Sequence, residues 1–395
     1  MARATDVPAV PDVAAISDAA RRPRGRRVLH ALAPAGIYVA VRLVGVAVLG
    51  LMAGFGKLPT ALNAWDGTWM VAIAQYGYDV PDDMLDAFGN HTPDTAKAFF
   101  PGYPATIAAT GLLTGGNLIL AGLLVSLVAG IAAAYGLTRL GELVPGGSRR
   151  AGLLLVGLFA AAPMGVVLSM TYTEALFCAL TAWALVGVLR RQWLLAGLGA
   201  FAAGLVRPTA AALVVAVGLA ALAAIVQRRD GWWPWLGGTL GACGLFGYLG
   251  DVALVTGRLD GWSRIQRDGW GWYLDGGGAT VHFVRDALAR GSEVFDIAIV
   301  LALAASLALV AVSVRMRLPW PLLVYSGLVL AIVWGSDGLA HSKLRLLVPA
   351  FTLLLPVAIG LARRRTTTAV GVVVAAALAS AWFGGYALTI WHYGI

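Results

Sequence analysis

Asp66 is the acidic residue best placed for acid–base chemistry, because it lies between two tryptophans in the stretch Trp65-Asp66-Gly67-Thr68-Trp69. Aromatic neighbours exclude water, and partial desolvation makes a carboxylate a better base. A carboxylate that is ionised at neutral pH can accept the proton of an attacking hydroxyl. The alternative role is structural, with the tryptophans as membrane-interface anchors and the aspartate as a helix cap.

Four basic residues later in the chain could bind an anion. They are Arg207, His341, Lys343 and Arg345. Cations near a membrane boundary need an anionic partner, which could be Glu174 or Asp66, a lipid headgroup, or the phosphate of a substrate. We favour phosphate, because arginine can bind two of its oxygens and stabilise the charge that develops as a phosphate leaves.

Two further segments have both a structural and a functional interpretation. Glu174 lies at the predicted start of a helix, where the helix dipole favours a carboxylate whether or not it belongs to a site. The segment Phe99-Phe100-Pro101-Gly102-Tyr103-Pro104 fits either a rigid loop at the headgroup level or a groove for a lipid chain.

The elements that must position these residues are membrane helices. Of the 395 residues, 59% are hydrophobic and only 12% are charged, and the mean hydropathy is +0.79, which excludes a soluble protein with a single core. The first apolar run covers residues 29–54. Further runs begin near Asn117, Ala151, Thr173, Gln192, Pro208, Trp232, Val294, Pro319, Leu344 and Thr366. The sequence therefore predicts an all-α polytopic membrane protein with about eleven transmembrane helices.

The distribution of arginine predicts the orientation of these helices. The segment from Pro104 to Leu113 is too short to cross, so we place it as an interfacial or re-entrant helix on the outer side. Every arginine doublet or triplet then faces the cytoplasm, as the positive-inside rule requires. These groups comprise Arg149 and Arg150, Arg190 and Arg191, Arg228 and Arg229, Arg315 and Arg317, and Arg363 through Arg365.

This topology predicts a cytoplasmic N-terminal tail over residues 1–28 and a single membrane domain over residues 29–395. Its extracytoplasmic loops lie near residues 55–116 and 257–293, and the first of them is large. Five separate segments then deliver polar groups to the outer boundary, where charges are costly unless they serve a site. Arg42, in the middle of the first span, is predicted to face the bundle interior and to pair with a carboxylate or backbone carbonyls.

Several other classes of chemistry are disfavoured. The formal charge of +9 would suit a nucleic-acid-binding protein if the chain were soluble, but the basic clusters alternate with apolar runs and indicate topology instead. The two cysteines, Cys178 and Cys243, lie in apolar runs. The sequence contains no phosphate-binding loop, no nucleophile elbow, and no HExxH or CxxC motif, and its histidines are scattered, so no metal site is predicted.

The motifs occur in a fixed order that resembles a known family. They are Trp65-Asp66-Gly67 with Ile73-Ala74 and Gly77-Tyr78, then Phe99 through Pro104, Pro163, Tyr172-Thr173-Glu174, Arg207, Gln266 with Trp270, and Arg345 through Pro349. In this order they resemble the integral-membrane GT-C glycosyltransferases, and among these the PIG-V-type mannosyltransferases, the group whose members include the enzyme that adds the second mannose of GPI anchors. The chain departs from the family pattern at Gly102, where Leu is common, and at Pro208. Its Ala-, Gly- and Arg-rich composition resembles that of a high-GC bacterium such as an actinobacterium.

The resemblance implies a mannosyltransferase that takes mannose from a polyprenyl-phosphate-mannose donor on the extracytoplasmic side. The acceptor would be a hydroxyl of a glycolipid or another glycan, and direct displacement by one base would invert the anomeric centre. It maps the catalytic carboxylate onto Asp66. The other roles fall to Arg207, His341, Lys343 and Arg345 for the donor phosphate, to Trp65, Tyr172, Glu174, Gln266 and Trp270 for the sugar or acceptor, and to Phe99, Phe100 and Tyr103 for the lipid chain. These residues do not require a cofactor, although they are compatible with a divalent metal.

Two alternatives remain open from the residues alone. A transporter or flippase for lipid-linked sugars would also have many spans and a few cations, but it should place charges near the middle of the membrane and show related halves. A GT-C enzyme that uses another lipid-linked sugar or a protein acceptor would have the same residues.

Overall fold

The computed structural model describes residues 24–290, 293–391, 393 and 394, so most of the predicted cytoplasmic tail lies outside the described residues. The first helix begins at Arg24, five residues before its predicted start. Within the described residues the α-helices, numbered in chain order, are α1 (Arg24–Ala53), α2 (Leu58–Leu62), α3 (Asp66–Tyr76), α4 (Gly102–Gly111), α5 (Leu118–Leu143), α6 (Arg149–Ala160), α7 (Glu174–Leu189), α8 (Trp193–Gly204), α9 (Ala210–Val226), α10 (Trp233–Thr256), α11 (Gly261–Trp270), α12 (Gly278–Ala289), α13 (Val294–Arg315), α14 (Trp320–Gly335), α15 (Lys343–Leu346), α16 (Leu355–Ala362) and α17 (Thr366–Thr389).

Short 3₁₀ helices connect several of these elements. They cover Phe55–Lys57, Thr95–Ala98, Gly165–Ser169, Ala340–Ser342 and Val348–Leu354. One isolated antiparallel β-bridge joins Leu274 to Ser336. It ties the chain just before α12 to the residue that follows α14.

Five of the described helices, α1, α5, α10, α13 and α17, are long and apolar enough to cross a membrane. The segments 340–346 and 348–362, bent by 55°, would make a sixth if they form one span. The shorter apolar helices α7, α8, α9 and α14 contain 12 to 17 residues. Helices thus occupy every predicted apolar run, and the predicted class, an all-α integral membrane protein, is confirmed.

Most helices pack against their neighbours in the chain. Helix α5 contacts α6 and α7, α7 contacts α8, and α9 contacts both α10 and α14. Helix α17 is different, because it packs along α1 and so brings the two ends of the described chain together. The core lies between these helices and includes fully buried Phe159, Phe177 and Phe351.

The run that was predicted to span the membrane from Ala151 is interrupted. Helix α6 ends at Ala160, Pro163 follows, and α7 begins only at Glu174. A proline cannot donate a backbone hydrogen bond and blocks the continuation of a helix. The interruption leaves backbone carbonyls without helical partners in an apolar environment, where each must find another donor.

Three buried side chains supply those donors. Ser380 donates to the carbonyl of residue 162 (2.6 Å) and Tyr38 donates to that of residue 168 (3.3 Å). Arg42 donates through Nη1 to the carbonyl of residue 165, which identifies the partner that the sequence left open. The arginine in the middle of α1 therefore supports the irregular segment that leads to α7.

Glycines allow the closest helix contacts. A Cβ atom on Gly237 of α10 would lie 2.6 Å from the carbonyl oxygen of Trp193 in α8. A Cβ on Gly102, at the start of α4, would lie 2.7 Å from the carbonyl oxygen of Leu205, which accepts the Gly102 N–H at 2.7 Å. A leucine at position 102 would not fit, because its Cβ would clash with this carbonyl.

We expect Gly237→Val to destabilise the bundle, because the added side chain must separate α8 from α10. Overpacking of this kind costs about 1–3 kcal/mol. The midpoint of thermal unfolding in nanodiscs should fall for Gly237→Val and stay unchanged for Gly247→Val on the same helix, where a Cβ would meet nothing within 4 Å. Equal midpoints for the two variants would contradict the close approach of α8 and α10.

Candidate active site

The site is centred on an ion pair between Asp66 and Arg345. Asp66 is the first residue of α3, and its Oδ2 accepts a hydrogen bond from Arg345 Nη1 at 2.5 Å. The two side chains are 28% and 15% exposed, so the pair is partly desolvated but can be reached from outside. No side chain caps α3 by a hydrogen bond, and the carboxylate binds the arginine instead of serving as a helix cap.

The residue before Asp66 has an uncommon backbone conformation. Trp65 has a φ of +57°, a region that bulky residues rarely adopt, and its side chain is 44% exposed. The other described non-glycine residues with positive φ lie in connections on the predicted inner side. They are Arg191, Arg228, Asp230 and Arg317. Because strained residues of this kind cluster at functional sites, the conformation of Trp65 supports a functional role for this turn.

Tyr172 lies beside the ion pair. The guanidinium of Arg345 is 5.4 Å from the centroid of the Tyr172 ring, within range for a cation–π contact. The tyrosine is 1% exposed, and its hydroxyl is close to the backbone N–H of Asp66. Burial raises the pKa of Tyr172 well above its ordinary value, and the negative charge of Asp66 acts in the same direction. The hydroxyl therefore stays protonated.

A second ion pair lies deeper in the protein, between Glu174 and Arg207. Glu174 is 1% exposed at the start of α7, and Arg207 also donates to Thr173 Oγ1 at 3.0 Å. The charge of Glu174 acts on Arg345 as well, so the two pairs are electrostatically coupled. We call these residues the ion-pair cluster. It comprises Asp66, Tyr172, Glu174, Arg207 and Arg345.

Two residues that sequence reasoning missed hold the cluster together. Thr171 donates through its hydroxyl to Asn63 Oδ1 at 2.6 Å, and its N–H donates to the carbonyl of Leu62 at 3.0 Å. These bonds fix the turn before α3 against the segment before α7. The only sequence signal was position, because Asn63 lies three residues before Asp66 and Thr171 directly precedes Tyr172.

Gln266 and Trp270 lie outside the ion-pair cluster. Gln266 Nε2 donates to the carbonyl of Ala98 at 2.9 Å. Trp270 meets the rings of Trp69 and Phe99 edge-on, at centroid distances of 5.4 and 5.1 Å. Helix α11 is thereby joined to the first large loop, and Trp69, Phe99 and Trp270 form what we call the aromatic cover.

The other two residues predicted to form a lipid groove are packed inside the protein. Phe100 is 2% exposed and lies against Tyr248, with ring centroids 4.5 Å apart. Tyr103 is fully buried, and its hydroxyl bonds to the Gly122 carbonyl and to Ser126 Oγ at 2.9 and 2.7 Å. Protein atoms, not an open groove, surround both rings.

The structure places two of the predicted phosphate-binding cations away from the ion-pair cluster. Lys343 is buried and donates to the carbonyls of residues 333 and 336, at the end of α14, at 2.8 and 2.7 Å. His341 Nε2 lies 3.0 Å from Asp296 Oδ1 and is surrounded by the rings of Phe295 and Trp391. Both cations thus have partners of their own, whereas Arg207 and Arg345 belong to the cluster.

A cavity between two nearby helices is separate from the cluster. It has a volume of about 610 Å³ and lies between α12 and α14, lined by residues that include Gly277, Val281 and Trp334. No residue of the ion-pair cluster lines it. Among the residues that the structure describes, no group of three or more His, Cys, Asp or Glu side chains is arranged to hold a metal ion.

We expect Arg207→Met to destabilise the protein strongly, because it leaves the buried carboxylate of Glu174 without a cation. Removing one partner of a buried ion pair costs about 3–5 kcal/mol. The double variant Arg207→Met/Glu174→Gln should recover most of the lost thermal stability. Arg264→Met, which breaks a half-exposed pair with Asp260, is the control and should have no measurable effect. A single variant as stable as the native protein would show that Glu174 does not need Arg207.

Comparisons with known proteins agree with this architecture. No protein-family model matches the sequence, and no curated protein matches it. Among solved structures, the chain is similar to "ArnT from Cupriavidus metallidurans bound to Undecaprenyl phosphate", with a TM-score of 0.53 and 15% sequence identity. The match covers 86% of this chain but 61% of ArnT, so the chain spans about three fifths of that protein's length. This protein is therefore an integral membrane protein with the GT-C-type helical fold that its sequence predicts.

Proposed function

We propose that this protein is a glycosyltransferase that uses a lipid-linked sugar, and that its donor is polyprenyl-phosphate mannose. One observation carries the proposal: a carboxylate and a guanidinium, Asp66 and Arg345, are held together at one end of an apolar helix bundle with the ArnT fold. Breaking a bond between a sugar and a phosphate needs a base for the incoming hydroxyl and a cation for the leaving phosphate. The pair supplies one of each.

In the proposed reaction, Asp66 removes the proton of the acceptor hydroxyl while that oxygen attacks the anomeric carbon. The bond from the anomeric carbon to the phosphate oxygen breaks, and its electron pair leaves with the phosphate. Arg345 stabilises the charge that the phosphate gains, and the Tyr172 hydroxyl donates a hydrogen bond to the sugar or the phosphate. A single displacement inverts the anomeric centre.

The remaining predicted residues have supporting roles in this proposal. Glu174 and Arg207 form a buried ion pair, and the charge of Glu174 acts on Arg345. Lys343 and His341 hold the turn that carries Arg345, through their bonds to backbone carbonyls and to Asp296. Gln266 and Trp270 of α11 hold the aromatic cover, whose Trp69 lies three residues after Asp66 on α3.

Two lines of support bear on the substrates. The solved ArnT structure is bound to undecaprenyl phosphate, which supports a polyprenyl-phosphate carrier for this chain. The preference for mannose, and for a glycolipid or glycan acceptor, rests on the motifs that resemble the PIG-V-type enzymes, including Trp65-Asp66-Gly67 and Tyr172-Thr173-Glu174. The bacterial origin suggested by the composition belongs to the same proposal.

Asp66→Asn should lower sugar transfer by a factor of about 10²–10⁴, the usual contribution of a general base. The assay uses the native protein in nanodiscs with labelled polyprenyl-phosphate mannose and an extract of candidate acceptors. Asp83→Asn, which changes an exposed carboxylate of the same loop, is the matched control and should keep full activity.

Three results would count against this reading. Equal transfer by the native protein and the Asp66→Asn variant would remove Asp66 as the base. Transfer from another lipid-linked sugar, with none from mannose, would correct the donor. No transfer to any acceptor, together with movement of the lipid donor between leaflets, would favour a flippase.

We also propose that the N-terminus is cytoplasmic and the site extracytoplasmic, because the arginine clusters then face inward. In a Cys243→Ser background, where the remaining Cys178 is buried, Asp83→Cys should react with a membrane-impermeant maleimide on intact cells. Arg228→Cys should react only after the membrane is permeabilised. The reverse pattern would invert the proposed orientation.

A further inference from the structure

In the ion-pair cluster each cation is already paired with a carboxylate. Its two carboxylates, on Asp66 and Glu174, are matched by the two guanidinium groups of Arg207 and Arg345. The nearest other cation along the chain, Lys343, is bound to two backbone carbonyls. An anionic headgroup that enters this neutral site must therefore share, or take over, an arginine that already has a partner.

The proposed reaction moves a charge between two groups that are close to the same arginine. A sugar linked through a phosphodiester brings one negative charge, and the phosphate that leaves becomes a monoester with nearly two. Over the same step Asp66 accepts the acceptor's proton and becomes neutral. The total charge is unchanged, but one negative charge has passed from the carboxylate to the phosphate.

We propose that Arg345 changes partner, from Asp66 in the resting protein to the phosphate of the lipid donor. The inference rests on the proposed function. In the resting protein the Arg345 guanidinium is paired with the Asp66 carboxylate, which is therefore not free to act as a base. Donor binding draws the guanidinium to the phosphate, which frees the carboxylate for the acceptor hydroxyl. The donor must then bind before Asp66 becomes competent, and a carboxylate at position 66 competes with phosphate for Arg345.

The geometry favours Arg345 over Arg207 in this role. Arg207 is paired with a carboxylate that is 1% exposed, so releasing it would leave a deeply buried charge uncompensated. The partner of Arg345 is 28% exposed and could be hydrated when released. The Nε of Arg345 is buried and has no hydrogen-bond partner, so one of its donors is already unused.

The contact with the Tyr172 ring can hold the Arg345 guanidinium in place while its hydrogen-bond partner changes. The guanidinium carbon lies 5.4 Å from the centroid of the ring, within range for a cation–π contact, and such a contact does not consume the N–H groups, which can still donate to oxygen acceptors. A guanidinium has five such N–H donors in a fixed fork that matches two phosphate oxygens. A lysine could not keep the ring contact and bind the phosphate through two parallel bonds.

The test measures binding of farnesyl monophosphate, a short polyprenyl monophosphate, to the protein in nanodiscs without an acceptor. We expect Asp66→Asn, for which we predict slower transfer, to bind this probe more tightly than the native protein, by about tenfold, within the usual range for coupled sites. Asp66→Ala should show the same gain and guards against a defect particular to asparagine. Asp83→Asn should bind like the native protein, and thermal unfolding confirms that each variant is folded.

A double-variant cycle separates partner exchange from simple repulsion between two anions. In an Arg345→Gln background the probe should bind weakly, and adding Asp66→Asn should no longer improve binding. A gain that persists without Arg345 would overturn the proposal, because Asp66 would then act on the phosphate directly. Farnesol, which lacks the phosphate, should bind the native protein and Asp66→Asn equally.

The outcomes distinguish this inference from the proposed function. If the native protein transfers sugar and prefers farnesyl monophosphate to farnesol, but Asp66→Asn does not bind the phosphate more tightly, partner exchange is wrong and the transferase stands. If the native protein neither transfers sugar nor distinguishes the two probes, the proposed function fails and the inference fails with it.

Discussion

The ion pair between Asp66 and Arg345 joins two positions that are 279 residues apart, and the arrangement of the site depends on it. A charge at a membrane boundary is costly unless another charge compensates it. The start of α3 and the turn after α14 are thus drawn together by a requirement that neither can satisfy alone. The Glu174 and Arg207 pair imposes the same requirement on α7 and α9. Apolar packing places the helices, whereas these two pairs determine which of their ends meet.

The site also requires a helix to stop short. If α6 continued past Pro163, its backbone would be satisfied internally and the segment before Glu174 would follow the helix axis. Instead the chain leaves the helix, and Tyr38, Arg42 and Ser380 donate to the carbonyls that this exposes. Arg42 thus explains how irregular backbone is tolerated at this depth. The irregular segment places Thr171 and Tyr172 beside the start of α3, where they contribute to the site.

The sequence predicted the helices well and the pairing of side chains poorly. Apolar runs predicted the positions of the described helices that are long and apolar enough to cross a membrane, because length and hydropathy are properties of a single segment. The sequence also predicted that Asp66, Tyr172, Glu174 and Arg207 lie at the same boundary, and in the structure these residues belong to one cluster. Which cation meets which acid depends on the relative rotation of segments that lie far apart in sequence, and no local pattern encodes that rotation.

In the turn after α14 the pairing of the cations could be predicted only in part, from the spacing of two of them. Lys343 and Arg345 are both predicted to bind phosphate, because cations in an outer turn need an anionic partner. Positions two apart on a helix point to nearly opposite sides, so the two cations of α15 cannot face one site. The structure accordingly sends Lys343 to backbone carbonyls and Arg345 to Asp66. His341 could not be assigned in this way, because its partner, Asp296, lies on another helix.

The aromatic cover bears on how a transferase with this site would avoid hydrolysis. Water is a small hydroxyl nucleophile, and an activated sugar beside a free base would react with it. Trp69 lies one turn after Asp66 on α3, where it packs against Phe99 of the first loop and Trp270 at the end of α11. Such a cover excludes water and strengthens the electrostatic interactions beneath it. The ion pair with Arg345 would also limit hydrolysis, since without a bound donor the Asp66 carboxylate is not free to activate any hydroxyl.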